Sequence, residues 1–161
     1  RRHTRYISVT GVQTCALPIS AVDYPARAER FDVVYHLLSL LESDAARVVA
    51  TQASDEELQE LAHLHAQLAQ KVEHTDTFFE LNERFHLRML EVANNRWRLN
   101  MVNDLRKVMK LNRQHSLLKK GRLEQSLKEH QGIVQALLDR DPELAALRMA
   151  EHFTNGLQAA T

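Results

Sequence analysis

The stretch Phe78–Asn95, FFELNERFHLRMLEVANN, decides the fold. Phe78, Leu81, Phe85, Met89 and Val92 recur at intervals of three and four, the stripe of an amphipathic helix that faces a core. Beside that stripe stand Asn82 and His86, four residues apart. On a helix they lie one above the other, with about 5–6 Å between their Cβ atoms. A polar pair next to an apolar stripe looks into a bundle rather than out to water. The helix closes at Asn94-Asn95, because Asn accepts the left-handed conformation that helix ends often need.

Outward from this stretch the chain reads as helices only. Four Gly and three Pro punctuate 161 residues, 44% of the chain is hydrophobic and only 6% aromatic, so aliphatic helix packing in one domain is expected, not a sandwich or barrel. Ala26–Gln52 carries Phe31, Val34, Tyr35, Leu38, Leu41, Ala45, Val48 and Val49 at helical spacing. Ser54 with Glu57 three residues on is a capping box, which starts a second helix running to about Val72 along Leu58, Leu61, Leu64 and Leu68. His63, His65 and His74 fall off that stripe and are expected to be solvated. Thr77 and Glu80 have capping-box spacing at the start of the third helix. A fourth helix, Arg96 to about Leu118, is expected to turn Trp97, Met101, Leu105, Val108, Met109 and Leu111 inward. Its other positions are basic: Arg96, Arg98, Arg106, Lys107, Lys110 and Arg113. Lys119-Lys120-Gly121 breaks the chain. Leu123–Leu138 and Pro142 to about Leu157 follow as a helical hairpin, with Asp141 as N-cap and Pro142 at the first helical position.

His130 precedes Asp141 by eleven residues and His152 follows it by eleven. With about 1.5 Å of rise per residue, both lie about 16 Å from the turn, at one level of an antiparallel hairpin. If the third helix packs on that hairpin, Asn82, His86, His130 and His152 converge as three imidazoles and an amide oxygen. Neutral imidazole suits zinc, nickel, copper or iron, and the amide oxygen leaves the choice loose. The competing reading is that these are merely hydrogen-bonded histidines among the nine of the chain.

No run of 18 apolar residues and no apolar segment after the N-terminal charges is present, so neither a membrane span nor a secretory signal is expected, and the chain reads as soluble and cytoplasmic. Val9–Ser20, VTGVQTCALPIS, lacks periodicity and resembles a translated sequencing adaptor. Residues 1–20 are therefore set apart as an artefactual or disordered segment, and 21–161 as the domain. Cys15, the single cysteine, falls in that string, so cysteine usage says nothing of compartment. Without Arg1, Arg2 and Arg5 the remaining chain has 18 basic and 21 acidic side chains, a net charge of −3 and no electrostatic footprint for nucleic acid.

LNERFH at Leu81–His86, ANN at Ala93–Asn95, SLKEHQGIVQALLDRDPELAALRMAEHF at Ser126–Phe153 and LLESDAARVVA at Leu40–Ala50 together resemble the FCD domain, the C-terminal effector-binding and dimerisation domain of FadR-type GntR regulators. The resemblance spans Arg30–Phe153. It implies an all-α antiparallel bundle of six or seven helices around a pocket, and a homodimer. It also implies a divalent transition metal, zinc or nickel first, held by Asn82, His86, His130 and His152, and a small organic acid as effector. DNA would be bound only through a winged helix-turn-helix domain absent from this chain. The sequence departs from the family at Leu38, where many members carry an Arg for the effector's carboxylate. Arg106 and Arg113 are the replacement candidates, as planar bidentate donors, and Ser126, one turn before His130, is a further donor. Two other readings compete. A metal-free dimerisation module retains the fold without the ligand. A metal-dependent hydrolase lacks a base, because Glu83 and Glu129 adjoin the histidines in sequence but point about 100° away around their helices.

Overall fold

Ser54, Asn95 and Asp141 each start a helix with a side-chain oxygen, and the three caps set the layout of the chain. The structure, a computed structural model, describes residues 27–160. Among these lie six helices: α1 Arg27–Gln52, α2 Asp55–Ala69, α3 Thr75–Val92, α4 Arg96–Leu117, α5 Arg122–Leu138 and α6 Pro142–Ala160. The adaptor-like string, Cys15 and the expected start of the first helix at Ala26 lie outside the described residues.

Ser54 forms the expected capping box. Its Oγ accepts from the Glu57 N–H at 3.2 Å, and its own N–H donates to Glu57 Oε2 at 2.9 Å. Asn94 is left-handed at φ 49°, and Asn95 Oδ1 accepts from the N–H groups of both Trp97 and Arg98 at 3.1 Å. Asp141 Oδ1 accepts from Leu144 N–H at 2.9 Å. The expected box at Thr77 does not form the start of α3. The helix begins at Thr75 behind His74, which has extended backbone and makes no side-chain cap, so Thr77 is already inside the first turn. The second helix stops at Ala69, three residues short of Val72, where a turn closed by Lys71 N–H on Leu68 O takes over.

The α5–α6 turn puts Arg140 in the left-handed region at φ 57°. Asp141 N–H reaches Ala136 O and Arg140 N–H reaches Leu137 O, a Schellman closure that usually uses Gly. Here the Arg140 guanidinium donates to Ala53 O and to Asp55 Oδ1, which ties the hairpin to the α1–α2 connection and holds its register.

α6 packs along α1 and α5, and α3 lies against α1, α2 and α4. Arg47 with Glu143 and the Tyr35 and Phe153 rings, 6.5 Å apart, run in opposite order along α1 and α6, so the pair is antiparallel. The larger apolar cluster holds Leu38, Ala45, Val49, Phe85, Met89, Val102, Met109, Ile133, Met149 and Phe153. A smaller one joins Leu68, Phe78, Phe79 and Leu117. Along α3 and α4 the buried polar residues Asn82, Arg113 and Ser116 stand between the two clusters in sequence, and together with Ser126 of α5 and His152 of α6 they line one small cavity.

Helix α4 follows the expected polarity only in part: Met109 is buried and Leu105 packs against the core, as expected, while the side chain of Leu111 lies outside the described residues. Trp97, Met101 and Val108 are exposed at 67%, 54% and 67%, whereas Arg106 and Arg113 are buried. The cause is on the facing helices. Glu42 of α1 is wholly buried, Glu83 of α3 is largely covered, and both carboxylates need cations at close range.

Candidate functional site

Three helices deliver one histidine each. His86 of α3, His130 of α5 and His152 of α6 have ring centroids 5.0 Å, 5.2 Å and 4.7 Å apart for the pairs 86–130, 86–152 and 130–152. One nitrogen from each ring lies within 4.8 Å of the others. All three side chains are buried, and Phe85 and Phe153 pack against the rings. The eleven-residue symmetry about Asp141 is realised in space.

The three imidazoles differ in what holds them. His86 donates Nδ1–H to Glu42 Oε2 at 2.6 Å. His152 donates Nδ1–H to Glu129 Oε2 at 2.7 Å. In both rings Nε2 is left with its lone pair facing inward. The Nε2 atoms of His86 and His130 stand 3.2 Å apart, whereas His130 Nδ1 is buried with no hydrogen-bond partner. Two nitrogens bound to one ion at about 2.0–2.1 Å each would stand about 3 Å apart, so this separation fits a shared ion.

Burial pushes the pKa of His86 and His130 well below 6.5, and nearby cationic groups, Arg106 for His86 and the neighbouring imidazoles for both, act in the same direction. Burial also lowers His152, against the opposing pull of Glu129. The rings are therefore neutral at pH 7, the form that ligates metal. Burial would raise Glu129, but the bonds from His152 and Arg122 outweigh it and bring the carboxyl down to about 2.

Asn82, one turn before His86, is buried, and its Oδ1 has no partner. It lines a cavity of about 30 Å³ together with Tyr35, Arg113, Arg122, Ser126 and His152. An unpartnered acceptor beside a ring of neutral imidazoles is what a hard cation, or the hydrogen-bond donor of a ligand, would satisfy.

The two candidate arginines go to different places. Arg113 reaches the small cavity and donates to Glu83. Arg106 is held by Glu42 at 2.8 and 2.5 Å and by Glu83 at 2.8 Å. It borders a wide cleft of about 1000 Å³ between α2, α3 and α4, not the small cavity. Neither is the solvated surface charge that an exposed basic helix would carry. Ser126 also lines the small cavity.

Sequence reasoning missed Arg122, Glu42 and, as a partner of the histidines, Glu129. Arg122 is buried, grips both oxygens of Glu129 at 2.9 Å, and leaves its Nε without a partner. The signal for Glu129 and Arg122 was present in their spacing of seven, two turns on one helix face; Glu42 gave none, because its partners are 44 and 64 residues away. His65, expected in water, is half-buried, its Nδ1 lacks a partner, and burial lowers its pKa.

The helical bundle encloses a small polar cavity beside the histidine cluster. Residues 33–155 match the FCD domain family, and the chain belongs to it. FCD domains are regulatory and non-enzymatic parts of GntR-type transcription regulators, so the chain is a GntR-type effector-binding domain and not an enzyme. Among solved structures, GntR of Streptococcus agalactiae superimposes with a TM-score of 0.70 at 22% identity, covering 88% of this chain and 63% of that one. The match shows the fold, and this chain spans about three fifths of that protein. Short segments also resemble the C subunit of NADH-quinone oxidoreductase. In Parvibaculum lavamentivorans 32 residues are 66% identical, 20% of this chain and 16% of the relative. In Jannaschia sp. 49 residues are 43% identical, 30% and 24% of the two chains. In Methylorubrum extorquens 41 residues are 58% identical, 25% and 19%. The chain thus spans a quarter or less of these relatives. No described helix is long and apolar enough to cross a membrane.

Proposed function

We propose that this domain senses a small organic acid through a bound divalent transition metal, zinc or nickel, and passes the result to a DNA-binding domain. The observation that carries the reading is the convergence of three buried, neutral imidazoles next to the unpartnered Oδ1 of Asn82. Asn82, His86, His130 and His152 are the metal ligands. When bound, the metal supplies a Lewis-acid centre for an acidic ligand. Arg113 and Arg122 border the same cavity and supply the positive charge that Leu38 does not; Ser126 donates beside them. Arg106 acts from behind, through Glu42.

A cavity of about 30 Å³ holds little more than a water molecule. An organic acid therefore binds a wider form of the bundle, and its preference for that form is what can alter DNA affinity. The reading of a winged helix-turn-helix partner rests on family membership. Dimerisation is supported by exposed apolar side chains on two neighbouring helices: Val33, Leu37 and Leu40 on α1, and Trp97, Met101 and Val108 on α4. These helices pack antiparallel, with Glu42 against Arg106 and Asp44 against Arg98. Such a face suits a second copy of the chain.

Metal content of the purified chain, measured beside a His130→Ala/His152→Ala double variant after zinc or nickel loading, tests the site. About one equivalent in the parent and none in the variant is expected. No metal in a folded parent would leave the second reading, a metal-free dimerisation module, to which the exposed α1 and α4 side chains would still belong.

A further inference from the structure

Two carboxylates, Glu42 wholly buried and Glu129 mostly covered, each approach one candidate metal ligand from behind. Glu42 comes from α1 and meets His86; Glu129 comes from α5 and meets His152. Neither carboxylate belongs to the cluster of three inward nitrogens. Both are themselves fixed by cations: Glu42 by Arg106, Glu129 by both terminal nitrogens of Arg122, with Asn155 as an additional donor at 2.9 Å. His130 has no such support, and its Nδ1 is bare.

We propose that Glu42 and Glu129 are positioning residues of the metal site, which hold His86 and His152 in the tautomer that presents Nε2, and that His130 is the loosely oriented third ligand. The physical reason is general. A carboxylate that accepts Nδ1–H selects one tautomer, fixes the ring plane and makes Nε2 more basic, so that less ordering remains to be done when the ion arrives. The cations behind the carboxylates hold them in place in turn. The arrangement also gives the two anchored rings different routes outward. His86 connects through Glu42 and Arg106 to the wall of the wide cleft, and His152 connects through Glu129 to Arg122 on the small cavity.

This inference rests on the metal reading above, and the test separates the two. Zinc affinity of the full chain is measured by competition with a chromogenic chelator, for the parent, Glu129→Gln, Glu129→Asp and, as a remote control, Glu143→Gln, whose exposed carboxylate pairs with Arg47. Imidazole nitrogen shifts in the metal-free proteins report the tautomers. Glu129→Gln is expected to bind zinc about 10- to 100-fold more weakly and to lose the single tautomer of His152, with helix content kept; Glu129→Asp recovers part of the affinity and Glu143→Gln matches the parent. Glu42→Gln, which also strips charge from Arg106, adds the corresponding result at His86 where it folds. Tight zinc binding by Glu129→Gln, or equal losses in Glu129→Gln and Glu143→Gln, would overturn the positioning role and leave the metal site standing. A parent that binds no zinc would overturn both.

Discussion

The α5–α6 hairpin and helix α4 border the same histidine cluster, and they meet it in opposite ways. The hairpin turns Ile133, Val134, Leu137, Ala145, Met149 and Phe153 inward along with His130 and His152, as its apolar periodicity requires. Helix α4 turns Arg106 and Arg113 inward and leaves Trp97, Met101 and Val108 in solvent. The difference teaches that an apolar stripe points to the core only where the facing surface is apolar. Opposite α4 that surface holds Glu42 and Glu83. Leaving a carboxylate with no exposed surface unpaired costs more than exposing several apolar side chains, so the guanidinium groups take the inner positions.

The largest effect should come from breaking the α4 side. Arg106→Ala leaves Glu42 buried with His86 as its remaining hydrogen-bond partner among the described residues and should cost about 3–5 kcal/mol in urea unfolding. A loss below about 1 kcal/mol would mean that the pair is as dispensable as a surface salt bridge, and the contrast with the hairpin would disappear.

The hairpin contains an ionic link of its own, and acid probes it. Glu129 titrates at about 2 in the folded chain, against an ordinary value of 4.5, so its contribution is complete above pH 4.5 and is lost as pH falls from there toward 2. For a side chain 11% exposed this amounts to about 3 kcal/mol. The buried imidazoles work in the same sense: their folded pKa values are depressed, so stability begins to fall below their ordinary 6.5. Unfolding of the metal-free chain followed from pH 8 to 3 should be level at first and then decline, and Glu129→Gln should flatten the part below 4.5. A decline of unchanged steepness there would show that the link carries no stability.

The smallest effect is expected on the outer face of α4. Trp97→Ser should change the stability of the isolated monomer by less than about 0.5 kcal/mol, since the side chain is two-thirds exposed, yet weaken self-association in sedimentation. A loss of several kcal/mol in a monomeric sample would place Trp97 in the core and restore the ordinary polarity of α4.

Much of this was legible along the chain. The stops and starts at Ser54, Asn94-Asn95, Gly121 and Asp141-Pro142 appear as helix ends in the structure, because caps are settled by residues within three or four positions of one another. Thr77 failed because the same spacing also occurs inside a first turn. His130 and His152 were readable as a pair since a short turn converts equal sequence distance into equal height. Arg122 and Glu42 were not, and Arg106 and Arg113 could be named as candidates but not assigned to their carboxylate partners.

The sequence by itself determined the six helices, their caps and the level at which the histidines of the hairpin meet, all of which depend on local hydrogen bonds and a constant rise per residue. Only the tertiary structure decided that α4 turns Arg106 and Arg113 inward beside Met109 while Trp97, Met101 and Val108 face out, that Glu42 lies behind His86, and that Arg122 and not Arg106 borders the small cavity. Those outcomes depend on the electrostatic cost of burying charge among side chains brought together from positions 44 to 64 residues apart, a quantity that no local pattern contains.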